Sequence, residues 1–116
     1  MNLIRLQRHQ HPRPPHHELR QKRVLDSGYR SIGQVENLYV DEDRELQFVD
    51  VIESGFMGLR TKHHLVPVEA IAEEGAGAIT LVVDQLAVES APTYANPHAG
   101  PEEDLQRSTR EHYGYS

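Results

Sequence analysis

Two adjacent histidines, His63 and His64, are the side chains of this sequence best suited to chemistry, since imidazole binds metals and transfers protons near neutral pH. They stand in the segment RTKHHLVPVEAI, residues 60–71, whose apolar and β-branched residues predict a β-strand. Neighbouring side chains on a strand point to opposite faces, so the two rings cannot both bind one metal ion. We expect one ring to pack or hydrogen-bond within the sheet and the other to be solvated.

Carboxylates are the second group that could do chemistry. The run DEDRE at residues 41–45 lacks the spaced oxygen ligands and central glycine of a calcium loop, and we interpret it as a solvated turn. Glu69, Glu73 and Glu74 are interpreted as a charged loop that follows a strand. A role for them in proton relay stays open only by analogy with the family introduced below.

Catalytic motifs are missing from the sequence. There is no P-loop, no Gly-x-Gly-x-x-Gly, no Gly-x-Ser-x-Gly and no His-Glu-x-x-His. There is also no cysteine, which excludes disulfides, thiolate metal sites and cysteine nucleophiles. We therefore expect a protein that is not an enzyme, with no catalytic residue, no bound metal and no cofactor.

The elements that position these residues are short apolar runs separated by turn residues, a pattern typical of a small antiparallel sandwich or barrel. They predict strands at residues 23–26, 31–41, 46–53, 62–68 and 75–84, of which we expect 46–53 to be central because both its faces are apolar. A bulge or bend between Val35 and Leu38 would turn both toward the core. The residues expected to form the barrel wall are Val24, Ile32, Val35, Leu38, Val40, Phe48, Val49, Val51, Phe56, Leu65, Val66, Val68, Ile71, Ile79, Leu81 and Val83.

The two ends of the chain differ from this middle. Residues 1–22 are rich in Arg, His and Pro and predict an extended, flexible arm. Residues 1–23 hold six basic side chains against one acidic one, and residues 24–116 hold six against seventeen, which gives the net charge of −6. Asp84 can cap a helix of about two turns, and residues 96–116 predict a linker followed by one charged helix from Pro101 to about Tyr113.

Four segments, in this order, resemble the PRC-barrel domain, which is named for the cytoplasmic domain of the photosynthetic reaction-centre H subunit: SIGQVENLYVDED, LQFVDVIESGFMGL, KHHLVPVEAI and APTY. The resemblance covers about residues 23–95. The positions that carry it are Gly33, Val35, Leu38, Tyr39, Val40, Asp41, Gly55, Phe56, His63, Pro67 and Val68. It implies a mainly β fold, a small and highly bent antiparallel β-barrel with a short carboxy-terminal helix, here preceded by an extended amino-terminal arm.

The resemblance also implies a role in assembly or regulation rather than catalysis. In the reaction-centre subunit the domain caps a membrane complex and influences proton delivery to a quinone site. In ribosome-maturation proteins a similar domain binds a ribosomal protein or RNA. This chain departs from the family pattern in the DEDRE turn, which lacks a glycine, in LRTK, which replaces a more glycine-rich loop, and in having no apolar membrane-spanning stretch ahead of the domain.

We therefore expect a non-catalytic, cytoplasmic adaptor that assembles with itself, with a dimer favoured, or docks onto a larger complex. Two alternatives stay open: an accessory subunit at the cytoplasmic face of a photosynthetic or electron-transfer membrane complex, and an RNA- or ribosome-associated maturation factor. The basic arm could attract nucleic acid or a membrane surface, but residues 1–28 contain no aromatic residue to stack on bases. The residues expected to contact the partner are Arg5, Arg8, Arg13, Arg20, Arg23, Leu105 and Tyr113.

Overall fold

The computed structural model describes residues 1–54 and 61–116, and these residues form one strongly curled seven-stranded sheet with two short α-helices. The strands are β1 (Ile4–Arg5), β2 (Arg23–Leu25), β3 (Ser31–Val40), β4 (Leu46–Ser54), β5 (Thr61–Pro67), β6 (Ile71–Glu74) and β7 (Ala78–Leu81). A 3-10 turn, Val68–Ala70, joins β5 to β6, and the helices are α1 (Gln85–Glu89) and α2 (Glu103–His112). The expectation of a mainly β, highly bent, PRC-barrel-like fold is confirmed.

The strand order along the sheet is β5-β4-β3-β2-β7-β6, and β1 pairs separately with β3. All pairs are antiparallel except β2 with β7, which run parallel. The strand over residues 46–53 was expected to be central, but β3 holds that place because it pairs with β1, β2 and β4. Its ten residues are long enough for β2 to pair with its start and β1 with its end along the same edge.

The sheet curls at a bulge in β3, as the spacing of its apolar residues predicts. Val35 pairs with Val51 and Asn37 pairs with Asp50, so one extra residue of β3 lies between two consecutive residues of β4. Val35 and Leu38 are both fully buried as a result.

The core lies on both sides of the curled sheet. The main cluster, inside the curl, includes Val24, Val35, Val49, Val66 and Ile79, and a second cluster on the opposite face is formed by Tyr39, Phe48, Leu65 and Tyr94. Every residue expected in the barrel wall is buried or partly buried where the structure describes it. Phe56 lies outside the described residues.

The amino-terminal segment, residues 1–22, lies against the sheet, where the sequence predicts a flexible arm. Leu6 and Leu19 are buried in the main cluster. The backbone N–H of Leu6 donates to the carbonyl of Leu38 at 3.0 Å, and that of Gln21 donates to the carbonyl of Val35 at 2.9 Å. Two buried leucines and these backbone hydrogen bonds hold the segment against the sheet, although its Arg, His and Pro content indicates an extended, flexible chain.

Both helices agree with their sequence signals. The Asp84 side chain accepts a hydrogen bond from the Ala87 N–H at 3.0 Å and so caps α1, as expected. After α2 the chain reaches Gly114, whose φ of +88° is the left-handed conformation that ends many helices. Among residues 1–54 and 61–116, no helix is long and apolar enough to cross a membrane.

Candidate functional site

A buried carboxylate, Asp50, lies at the centre of a polar network in the middle of the sheet. Its side chain is fully buried, and its neighbours in β4 are the apolar residues Val49 and Val51. Asn37 lies on β3 directly opposite Asp50, and its Nδ2 donates a hydrogen bond to Asp50 Oδ2 at 2.7 Å. Nδ1 of His63, on β5, lies 2.8 Å and 3.0 Å from the two carboxylate oxygens. Three neighbouring strands thus each supply one member of the network.

Burial raises the pKa of Asp50, and the hydrogen bonds from Asn37 and His63 lower it only in part. A raised pKa means that the folded protein holds this proton more tightly than the unfolded chain. The resulting stability is fully present below the ordinary carboxyl pKa and is lost as the pH rises through the raised pKa. Asp50 therefore contributes more stability to the folded state in acid than at higher pH.

Two tyrosines lie on the same face of the sheet as Asp50. Tyr39 donates its hydroxyl hydrogen to the carbonyl of Pro97 at 2.7 Å, and Tyr94 donates to the hydroxyl of Tyr39. Burial raises the pKa of Tyr94 to about 12 and that of Tyr39 further still, and the charge of Asp50 adds to both effects. Both phenols stay neutral at physiological pH, so they serve as fixed hydrogen-bond donors that fasten residues 94–97 to the sheet.

His64 makes a separate contact, with Nε2 lying 2.9 Å from Glu53 Oε2. It pairs with Val51, whose side chain faces the main cluster, whereas His63 bonds to Asp50 on the other face. The two rings thus contact different carboxylates on opposite faces of the sheet. Both are largely buried, so the expectation that one of them is solvated is wrong. Within residues 1–54 and 61–116, no group of three or more His, Asp or Glu side chains could hold a metal ion.

The other carboxylates singled out in the sequence make structural contacts. Asp41 Oδ1 accepts from the backbone N–H groups of Asp43 and Glu45 at 2.9 and 3.0 Å, so this carboxylate organises its own turn. Glu69 pairs with Arg110 of α2, and the ring of His16 in the amino-terminal segment contacts Glu74. These contacts tie both ends of the chain to the region around β6. Glu73 and Glu74 lie in β6 itself, so the interpretation of these two residues as a loop is wrong.

The arginines predicted to bind a partner fall into two groups. Arg5, Arg8 and Arg20 line one cavity beside β3, and Arg5 Nη1 lies 3.4 Å from the Asn37 side-chain oxygen. Arg13 and Arg23 are exposed, and their backbone N–H groups bond to carbonyls elsewhere in the chain. The fold therefore gathers three of the five arginines at one place.

The two apolar residues predicted to bind a partner pack within the chain. Tyr113 is only 9% exposed and belongs to the main core cluster, and burial raises the pKa of its hydroxyl. Leu105 is partly buried and packs against the cluster of Tyr39 and Tyr94. Leu105 of α2 and Tyr113, which directly follows the helix, thus pack against the chain's own core clusters.

The positions that carry the family resemblance have structural roles where the structure describes them. A Cβ atom on Gly33 would lie 2.1 Å from the carbonyl oxygen of Ile52, so the close approach of β3 and β4 requires glycine there. Val35, Leu38 and Val40 are buried in the main cluster, whereas Pro67 ends β5 and Val68 begins the 3-10 turn. Gly55 and Phe56 lie outside the described residues.

A second buried carboxylate, Asp26, joins the turn between β2 and β3 to helix α1. Its Oδ1 accepts from the N–H groups of Gly28 and Arg30, and its Oδ2 accepts from the N–H of Gln85, all within 3.0 Å. The hydrogen bonds from Arg30, Gln85 and Gly28 hold the pKa of Asp26 below its usual value. The turn and the helix are therefore held as one unit.

This unit carries three of the large apolar side chains exposed on the described surface. Tyr29, in the turn, is 66% exposed, Leu86, in α1, is 70% exposed, and Val82, just before α1, is 50% exposed. We call these three residues the apolar end. The backbone N–H of Ser27 donates to the carbonyl of Val83 at 2.8 Å, which adds a second link between the turn and the segment that holds Val82.

Sequence reasoning missed both buried carboxylates. An ionisable residue among valines is a recognisable signal in LQFVDVIE, because a charged side chain on an apolar strand needs buried partners. Asp26 begins the turn DSG, where an Asp commonly accepts hydrogen bonds from the next backbone N–H groups. Its bond to Gln85 joins residues 59 apart in the sequence and could not be read from local pattern.

The chain matches the model of a known protein family. The family model described as PRC-barrel domain matches residues 15–88, which is more than half of the chain. The match begins within the amino-terminal segment and so includes Leu19, whereas the resemblance read from the sequence begins at about residue 23. No curated protein matches the chain at a significant level.

Proposed function

Since this chain belongs to the PRC-barrel domain family, we propose that it is a non-catalytic, cytoplasmic adaptor that assembles with a second copy of itself, and through that assembly serves a larger complex. The single observation that carries the proposal is the apolar end, Tyr29, Val82 and Leu86, held on a rigid base by Asp26.

Exposed apolar side chains are the ones whose burial against a partner water favours most, and these three are carried on elements that hydrogen bonds join. Rigidity adds to this effect. The turn that carries Tyr29 and the helix that carries Leu86 share one buried hydrogen-bond acceptor, so little backbone freedom is lost on association. Tyrosine is also among the residues most enriched at the centres of interfaces.

A second copy is the simplest occupant of this surface. A two-fold axis through the apolar end would place the same three side chains of each copy against those of the other, and such isologous pairs are the commonest closed assemblies. Two copies that each carry a net charge of −6 repel each other at long range. Their association therefore depends on burial of the apolar end and not on attraction between charges.

The test is sedimentation velocity of the purified chain over a range of concentrations. We expect the wild type to shift from monomer to dimer, and the variant Leu86→Lys to remain monomeric. Ser108→Lys, a change at an exposed position on α2, is the matched control and should associate like the wild type. Because apolar contacts drive association, raising the salt concentration should not weaken it. A wild type that stays monomeric, or a Leu86→Lys variant that still dimerises, would contradict the proposal.

A second candidate function, an accessory subunit of a membrane electron-transfer complex, is favoured by the Asp50–His63 pair. A buried carboxylate with a raised pKa beside an imidazole can take up and release a proton. In that role, Asp50→Asn should slow proton-coupled electron transfer in membranes that contain the host complex without changing how much of the chain they bind. An unchanged rate would remove this candidate.

A further inference from the structure

A cavity of about 510 Å³ lies between the amino-terminal segment and the sheet. Residues of the segment line one side, Asn37, Ile52 and His63 of β3, β4 and β5 line another, and residues Pro97 and His98 complete it. Its volume falls within the range of about 300–1,000 Å³ typical of small-molecule sites.

The lining of this cavity is basic in a chain that is acidic overall. Among the described residues that line it, Arg5, Arg8 and Arg20 stand against a single carboxylate, Glu36. This leaves two formal positive charges, whereas the whole chain carries −6. None of the three arginines is within ion-pair distance of an acidic side chain among the described residues. Positive charge is concentrated here without a partner of opposite charge in direct contact.

Two hydrogen bonds hold the Arg20 side chain in place, but one of its N–H groups has no hydrogen-bond acceptor among the described residues. Its Nη2 donates to the backbone carbonyls of Gln7 and Gln10 at 3.0 and 3.3 Å, which fixes the side chain. Its Nε is buried and has no hydrogen-bond partner among the described residues. Burial lowers the pKa of Arg20; repulsion from Arg8 and Arg5 adds to this effect, and attraction to Glu36 opposes it. An anion between them would relieve that repulsion.

We propose that this cavity binds a small molecule through its phosphate group, with Arg5, Arg8 and Arg20 as the binding residues. A phosphate dianion matches the surplus of two positive charges, and its three terminal oxygens suit three guanidinium groups. A carboxylate would supply one charge and two oxygens. This site is independent of the proposed self-association, since none of its residues belongs to the apolar end.

A free small molecule fits the site better than a polyanion. The cavity volume corresponds to a compact ligand, and three cationic side chains line it within the part of the chain that the structure describes. Nucleic acid or an anionic membrane would bring many negative charges toward a chain of net charge −6, and the repulsion would oppose their approach. A small phosphate-bearing molecule presents its charge only where the arginines lie.

The test is isothermal titration calorimetry of the full chain with inorganic phosphate and with pyrophosphate, in chloride buffer at constant ionic strength. We expect both probes to bind the wild type, and Arg8→Gln, a change at an exposed position, to weaken binding by about tenfold or more. Arg30→Gln is the matched control, because it removes one exposed cation outside the cavity and should change the affinity less than about twofold. Arg5→Gln should repeat the effect of Arg8→Gln.

Three results would overturn the proposal. The first is the failure of both probes to bind at millimolar concentration. The second is equal weakening by Arg30→Gln and Arg8→Gln, which would mean that the probes respond only to overall charge. The third is binding of phosphatidylglycerol vesicles without binding of free phosphate or pyrophosphate, which would assign the surface to a lipid headgroup and not to a small molecule.

Discussion

Replacing Leu19 by alanine tests whether the amino-terminal segment is part of the folded domain. Leu19 is fully buried in the main cluster, so the change removes three buried carbon atoms. At about 0.8 kcal/mol for each, the lost transfer free energy is about 2.4 kcal/mol. The cavity left behind adds to this cost, and we expect a total loss of about 3 to 4 kcal/mol in the free energy of unfolding.

Urea unfolding followed by circular dichroism measures this loss as a lower midpoint with an unchanged slope. Ile4→Ala is the matched control, because Ile4 belongs to the same segment but is 51% exposed, and we expect it to cost less than about 1 kcal/mol. A free arm would make both changes equally harmless. A Leu19→Ala variant within about 0.5 kcal/mol of the wild type would therefore refute the packing described for this segment.

Three further predictions concern the sheet and helix α1. Gly33→Ala should lower the free energy of unfolding by at least about 1 to 3 kcal/mol, because its Cβ would lie 2.1 Å from the Ile52 carbonyl oxygen. The control is Gly77→Ala, whose Cβ meets nothing within 4 Å and which should change that free energy by less than about 1 kcal/mol. Urea unfolding measures both. Asp50→Asn should gain stability relative to the wild type as the pH rises from about 3, below the ordinary carboxyl pKa, to 8, since burial raises the pKa of Asp50 and the wild type loses stability over that range. Asp84→Ala should cost about 0.5 to 2 kcal/mol by removing the cap of α1 and should also weaken self-association in sedimentation.

Each of these predictions has an outcome that would contradict its reasoning. Equal stability of the two glycine variants would mean that β3 and β4 do not approach as closely as described. A stability difference between Asp50→Asn and the wild type that does not change with pH would show that Asp50 titrates normally in the folded protein. An Asp84→Ala variant that loses its helix but associates like the wild type would separate α1 from the apolar end.

Much of the sheet could be predicted from the sequence because its strands are short apolar runs bounded by turn residues. The bulge in β3 was predictable from the spacing of Val35 and Leu38, and the start of α1 from Asp84, since both signals are local. The central place of β3 was not, because pairing with β1 at one end and β2 at the other depends on the curl of the whole sheet.

The ends of the chain were harder to predict than the middle. Leu6 and Leu19 stand alone among Arg, His and Pro residues and form no periodic pattern, yet both are buried, because the curled sheet leaves space for them. Tyr113 was expected to contact a partner for a similar reason: an isolated aromatic residue near a chain end gives no sign of whether it packs inside or outside.

The cavity and the apolar end depend on contacts between distant parts of the chain. Sequence reasoning identified Arg5, Arg8 and Arg20 as basic residues of an arm, but only the packing of that segment on the sheet brings them together around one cavity. Tyr29 and Leu86 are far apart in the sequence, and the bond from Gln85 to Asp26 links the elements that carry them. Neither arrangement has a local signature.

The most direct test of assembly through the apolar end is oxidative cross-linking of Leu86→Cys, since the chain has no other cysteine. If two copies meet at this surface, mild oxidation should yield a covalent dimer at low protein concentration, and Ser108→Cys, on the exposed face of α2, should not. Cross-linking of both variants to the same extent, or of neither while the chain still sediments as a dimer, would contradict assembly through the apolar end.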